Sequence, residues 1–281
     1  MCLILVAWRS HPHHPLVVAA NRDEFFARRT ASADFWAEQE PPHARNGGSL
    51  PPEGAHPGLG RPGAGHPQVL AGRDLEGGGT WMGITKTGRF AALTNYRDPA
   101  RQRTDAPSRG ALVADFLRGD EPIDAYLANL VPRAGDYNGF NLLLGDGKRL
   151  FWFSNVSGEP TELPPGVYGV SNHLLDSPWP KVAAGKAALA SALDALPDEA
   201  PLFQLLRDDG VHPDEALPRT GVSLEWERLL SSAFVRAPGY GTRSSTVLTA
   251  DAAGRVTFTE QTWLAEGLPG GRVNFSFDLT C

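Results

Sequence analysis

The chain has 281 residues, 41% hydrophobic and 21% charged, and a formal net charge of −6. That length is ample for a buried core in one large or two small domains, and the composition is that of an ordinary globular protein. Mild acidity with only short, Asp-interrupted basic clusters argues against nucleic acid as a partner, and no apolar run reaches the ~18–20 residues that a membrane-spanning helix needs.

Residues 3–8 (LILVAW) and 16–20 (LVVAA) predict two antiparallel strands joined across SHPHHP. The first run is too short, and lacks the basic flank, for a signal peptide. The chain is therefore expected to be cytoplasmic, without stable membrane insertion. Residues 44–68 are Gly- and Pro-rich and predict a surface insertion. Its formal G-x-G-x-x-G at Gly58, Gly60 and Gly63 has no preceding strand or following helix and contains Pro62, so it predicts no nucleotide site. Further strands are expected at 80–85, 89–95, 139–145, 149–154 and 166–171, with tight turns at KTG (86–88) and GDGK (145–148). Helices are expected at 108–118, with Ser108 as N-cap, and at 122–130, 180–195 and 199–207. Strands return at 243–249 and 255–263, joined by ADAAGR. Strands first, helices in the middle and strands last predict an α+β fold with antiparallel sheets rather than βαβ units. We assign residues 1–281 to one domain.

The hairpin gives the first candidate site. With its turn near residues 11–12, antiparallel pairing sets Cys2 opposite residue 21 or 22 and brings Asn21, Arg22 and Asp23 beside the chain start. Methionine aminopeptidases act where the second residue is small, as here, and removal of Met1 would leave Cys2 with a free α-amine. A thiol near pKa 8.5 and an amine near 7.7–8.0 both titrate close to neutrality. The amine can then act as general base for its own residue's thiol. Asp23 would orient that amine, and an adjacent arginine would favour thiolate. The structural reading stands beside this one: a cysteine in an apolar strand is commonly core, and NRDE could be a solvated turn.

Other chemistry falls away. Cys2 and Cys281 lie at opposite ends of the chain, and no disulfide is expected in a reducing compartment. His11, His13 and His14 sit in a Pro-bounded hairpin tip, and no metal site is expected. There is no G-x-S-x-G to support an α/β-hydrolase triad.

Several stretches carry a resemblance: MC at the start, NRDE (21–24), GGTWMGITKTGRFAALTNYRD (78–98), YNGFNLLLGD (137–146), YGVSN (168–172) and GTRSSTVL (241–248). Together they resemble the NRDE family, the Transport and Golgi organisation protein two family, over nearly the whole chain. That family in turn resembles the N-terminal-nucleophile hydrolases, in the branch of penicillin V acylase and bile salt hydrolase. The resemblance implies a four-layer αββα sandwich with two antiparallel sheets and an N-terminal cysteine that attacks an amide carbonyl. It implies Cys2 as nucleophile and Asp23 beside the amine. Asn95 and Asn172 correspond to oxyanion-binding asparagines, whose side-chain donors suit a tetrahedral intermediate. Arg243 corresponds to a late arginine able to fix a carboxylate or hold the thiolate network. One departure is plain: the branch places an arginine three residues before the aspartate, where this chain has Ala20, and Arg22 lies inside the motif instead. Asn21 and Arg22 beside the nucleophile, with Trp81 and Tyr96 as pocket walls, are the candidate substrate contacts.

The expected function is a small-molecule amidohydrolase or acyltransferase that requires no cofactor. Its partner is an amide or acyl substrate, and homo-oligomer formation is left open. The alternative is a haem- or lipid-binding and trafficking protein on the same fold, with Cys2 or a histidine contacting haem. No C-x-x-C-H is present for covalent haem attachment.

Overall fold

The structure, a computed structural model, describes residues 2–36 and 68–280. The insertion expected at 44–68 (Gln68 aside) and its glycine motif lie outside the described residues. Strands β1 (Cys2–Trp8) and β2 (Leu16–Phe25) form the expected hairpin, with β2 continuing through the whole NRDE run. Next come β3 (Thr30–Phe35), β4 (Val69–Asp74), β5 (Met82–Thr85) and β6 (Phe90–Asn95), then helices α1 (Gly110–Arg118) and α2 (Ile123–Leu130). Strands β7 (Phe140–Gly145), β8 (Leu150–Ser154), β9 (Thr161–Glu162) and β10 (Gly166–Val170) lead to α3 (Pro180–Ala192), α4 (Ala200–Leu206) and α5 (Leu224–Leu229). Strands β11 (Arg236–Ala237), β12 (Tyr240–Ala250), β13 (Arg255–Trp263) and β14 (Pro269–Asp278) follow.

These strands make two antiparallel sheets. The first runs β10-β1-β2-β12-β13-β14, with β11 attached to β12; the second runs β3 to β9 in sequence order. Strand β1 shows why the chain folds this way. Its side chains alternate, so Ile4, Val6 and Trp8 enter a core between the sheets together with Val18, Met82, Phe90 and Leu143. Leu3, Leu5 and Ala7 face the other way, onto residues of α3 and α4 such as Leu189 and Leu202. A strand buried on both faces reads as an unbroken apolar run, which is what LILVAW is. The second sheet repeats the logic: Ala91, Leu93, Leu142 and Leu144 pack outward on Leu112, Phe116 and Leu127 of α1 and α2. Three cores thus separate four layers, in the expected αββα order. Helix α3 sits close over β1, where a Cβ at Gly185 would lie 2.9 Å from Leu5 Cδ1.

Some local expectations are corrected. Helix α1 begins at Gly110; Arg109, not Ser108, takes the N-cap position, and no side chain caps it. The α-helical part of 180–195 stops at Ala192 and a 3₁₀ turn completes it. Strands β3, β4 and β14 and helix α5 were not expected, although Ser223 caps α5 by accepting from Trp226 N–H at 3.3 Å. No helix among the described residues is long and apolar enough to cross a membrane.

Candidate functional site

Antiparallel register sets Cys2 opposite Arg22, Arg22 opposite Ser244 and Ser244 opposite Thr262. Paired positions share one face of a sheet, so this row continues the one that contains Ile4 and Ala20 and faces the second sheet. Here the intersheet core ends and a cavity of about 580 Å³ opens, within the size range of small-molecule sites. Cys2, Arg22, Asp23, Trp81, Asn95 and Arg243 all line it. Its rim includes a direct backbone approach between GGT (78–80) and Gly110. Thr80 N–H donates to Gly110 O at 3.2 Å, and a Cβ at Gly79 would lie 2.5 Å from Gly110 C.

Cys2 is 8% exposed. Burial raises its thiol pKa and the Asp23 charge adds to the effect, while Arg22 and a hydrogen bond from the Asp23 backbone pull the other way. Asp23 is 1% exposed, and its Oδ1 accepts from Thr242 Oγ1 at 2.7 Å. Thr242 Oγ1 in turn accepts from Val235 N–H at 2.9 Å, which fixes the carboxylate against β12. Burial raises the Asp23 pKa, opposed by the Lys181 charge and the Thr242 hydrogen bond.

Other expected site residues lie elsewhere or are otherwise engaged. Asn21 is fully buried on the opposite face of β2 from Arg22 and does not line the cavity. Its Nδ2 donates to Leu206 O and Ala233 O, both at 2.8 Å, and its Oδ1 accepts from Ser245 Oγ at 2.6 Å. It anchors the helical layer, so its expected substrate contact is corrected to a structural one. Asn172 is also fully buried and outside the cavity wall; its Nδ2 donates to Asn95 O at 2.9 Å. With Arg97 N–H donating to Asn172 O at 2.8 Å and Asn141 Nδ2 to His173 O at 2.8 Å, residues 171–173 clasp the second sheet to the first. Ser171 Oγ completes the clasp by donating to Cys2 O at 2.9 Å. Tyr96 lies outside the cavity, its ring 5.0 Å from His173, which is 5.7 Å from Trp179. Arg243 occupies the β-bulge of β12, where its Nη1 donates to Phe25 O and Arg28 O at 2.9 and 3.1 Å.

Sequence reasoning missed the buried charges behind Asp23. Lys181 is 3% exposed and donates to Leu230 O at 2.8 Å; burial lowers its pKa from 10.5 to about 8. A signal for it existed: Lys181 falls on the same helical stripe as Gly185, Leu189 and Ala192, an apolar face that seldom carries a charge without reason. Arg97 and Glu227 pair at 2.7 Å with both side chains 4% exposed. Arg109, on the cavity wall across from β2, feels the Cys2 and Glu24 charges. Nothing in the local sequence distinguishes it. No His, Cys, Asp or Glu group among the described residues is placed to hold a metal ion.

An αββα sandwich with a cysteine at the start of a central strand defines a protein with the fold of the N-terminal-nucleophile hydrolases. Conjugated bile acid hydrolase from Clostridium perfringens, solved as its C2A mutant, matches with a TM-score of 0.51 at 9% identity, covering 99% of this chain and 92% of that one. That likeness is one of fold. The chain itself belongs to the Transport and Golgi organisation 2 family, whose sequence profile matches residues 1–44 and 61–265. The unmatched residues between fall in the Gly- and Pro-rich stretch. Transport and Golgi organization protein 2 homolog from Bos taurus is 37% identical over 288 residues, covering 94% of each chain. Its Homo sapiens counterpart is 34% identical with 95% of each chain covered, and the Drosophila melanogaster protein is 31% identical over 93% of this chain and 92% of its own.

Proposed function

We propose that the chain is a cysteine amidohydrolase or acyltransferase acting on a small-molecule amide bond, with Cys2 as nucleophile. The observation that carries this reading is the register of β1 and β2. It opens Cys2 into a ligand-sized cavity and sets the next residue after its partner, Asp23, as a buried carboxylate. The fold neighbour lends further support: it is a hydrolase, and its C2A mutant shows a cysteine at its own position 2.

The mechanism requires removal of Met1, which frees the Cys2 α-amine. As sulfur attacks the carbonyl carbon, the amine takes the thiol proton and the C=O electrons move onto oxygen. Asn95, on the cavity wall, donates to that oxyanion. Asn172 fixes Asn95 through its carbonyl and acts as a positioning residue. Collapse breaks the C–N bond, and the leaving nitrogen receives the proton from the ammonium. Water or an acceptor amine then attacks the thioester, gives its proton to the α-amine, and releases the Cys2 sulfur. Asp23 holds the ammonium through both halves.

The haem reading finds less support. Among the described residues no histidine lines the cavity, whose wall is rich in arginine, so Cys2 alone would have to ligate the iron.

The test is intact-mass analysis of untagged protein, acid-quenched during incubation with small N-acyl amines and activated anilides. We expect loss of Met1 and an acyl adduct on Cys2 that hydroxylamine removes and Cys2→Ala abolishes. Protein that lacks Met1 yet gives neither adduct nor turnover across the panel would sink the proposal.

A further inference from the structure

Three guanidinium groups line the cavity into which Cys2 opens. Arg22 is its cross-strand partner, Arg243 projects from the bulge in the adjoining strand, and Arg109 lies on the far wall. Over the whole cavity, six arginines but only three carboxylates (Asp23, Glu24 and Asp74) are lining residues. Arg28 is satisfied, donating to Asp74 at 2.9 and 2.7 Å. Arg22 and Arg243 each keep an unanswered donor, although Arg243 Nη1 donates to Phe25 O and Arg28 O at 2.9 and 3.1 Å. The Arg22 side chain is 11% exposed, and its Glu24 contact is a long 3.8 Å. Its Nη1 is buried and has no hydrogen-bond partner among the described residues; the same holds for Arg243 Nε. Burial, and then the charge of Arg22, lower the Arg243 pKa, so the two cations are close enough to repel. Placing like charges together with buried, unanswered N–H groups costs stability. A fold keeps such an arrangement where an anion answers it, and the planar guanidinium fork suits carboxylate and phosphate alike.

The geometry points to an oxyanion subsite formed by Arg22 and Arg243, one cross-strand step from Cys2, that takes a carboxylate or phosphate group on the substrate. The substrate is then an acyl compound with a negative group a few bonds from its scissile carbonyl. The word substrate rests on the amidohydrolase reading; the subsite as a binding site does not.

Titration calorimetry on the full chain tests it with two matched pairs. Hexanoylglycine is compared with hexanoylglycinamide, and N-hexanoyl-O-phosphoethanolamine with N-hexanoylethanolamine. The charged member of at least one pair is expected to bind roughly tenfold tighter or more, in keeping with charge-assisted bidentate bonds. The pair with the larger ratio identifies the oxyanion. Arg22→Gln should erase most of that ratio while neutral-probe affinity and thermal unfolding stay near wild type, and Arg243→Gln should erase it with some loss of thermal stability, because its Nη1 also holds Phe25 O and Arg28 O. Equal binding within both pairs, binding of neither charged probe, or a ratio unchanged in both variants overturns the subsite. If a variant fails to fold, the wild-type ratio and its decline with added chloride decide the matter. Charge preference without any thioester defeats the catalytic reading alone. A thioester formed equally from neutral amides, without charge preference, defeats the subsite alone.

Discussion

Arg97 Nη1 donates to Glu227 Oε2 at 2.7 Å, in a pair with 4% exposure on either side. The second Glu227 oxygen accepts from Thr220 N–H and Thr220 Oγ1 at 2.8 and 2.7 Å. Breaking a buried pair by deleting one partner strands the other charge. Glu227→Ala is expected to lower unfolding stability by about 3–5 kcal/mol in urea titration. A loss below about 1 kcal/mol would show that water reaches this pair in solution.

Asn21 and Arg22 are adjacent in sequence but point to opposite faces of β2, and their substitution should separate accordingly. Asn21→Ala leaves Leu206 O, Ala233 O and Ser245 Oγ without their partner. It should cost about 2–4 kcal/mol of stability. Arg22→Gln should cost less than about 1 kcal/mol, because the ion pair of Arg22 among the described residues is a long 3.8 Å contact to Glu24. Guanidinium chloride denaturation of both variants checks the pair, and the reverse ranking would mean that the β1–β2 register is wrong.

Lys181 gives a pH dependence with a defined sign. Its pKa is lowered from 10.5 to about 8 by burial. Below pH 8 the lysine is protonated in both folded and unfolded chains. Between pH 8 and 10.5 only the unfolded chain keeps the proton, so this residue's contribution to folding stability rises with pH. Over the full window the gain is ~3 kcal/mol. Lys181→Met lacks it. The difference in unfolding free energy between the two proteins, followed by urea titration across that window, should therefore move in favour of wild type. A flat difference would show that burial does not lower the Lys181 pKa in the folded chain.

Much of the fold is legible because its driving force is local patterning. The doubly apolar run of β1 predicts burial on both faces, and the hairpin register follows from the position of the turn. Strand β14 could also have been read, since Val273, Phe275 and Phe277 alternate and turn toward the intersheet core. Strand β3 could not: TASADF is short and polar, and its Ala33 N–H is held by Glu260 Oε1 from the other sheet at 2.8 Å. In the site, the residues of one hairpin were readable, because register converts sequence spacing into proximity. The partners that come from distant segments were not. Arg109 joins the cavity wall from the start of α1, and Asn172 turned out to serve Asn95 because the clasp at 171–173 depends on how the two sheets meet.

The hydrogen bond from Thr242 to Asp23 spans 219 residues, and that from Ser171 to Cys2 spans 169. Strand β1 is translated well before its neighbour β10 and before β12, which flanks its hairpin. Until then the hairpin presents two greasy faces and unpaired edges, the situation in which nascent chains need chaperone shelter. A prematurely terminated product therefore carries Cys2 and the NRDE run without Ser171 and Thr242, the partners that hold Cys2 O and the Asp23 carboxylate in the finished fold.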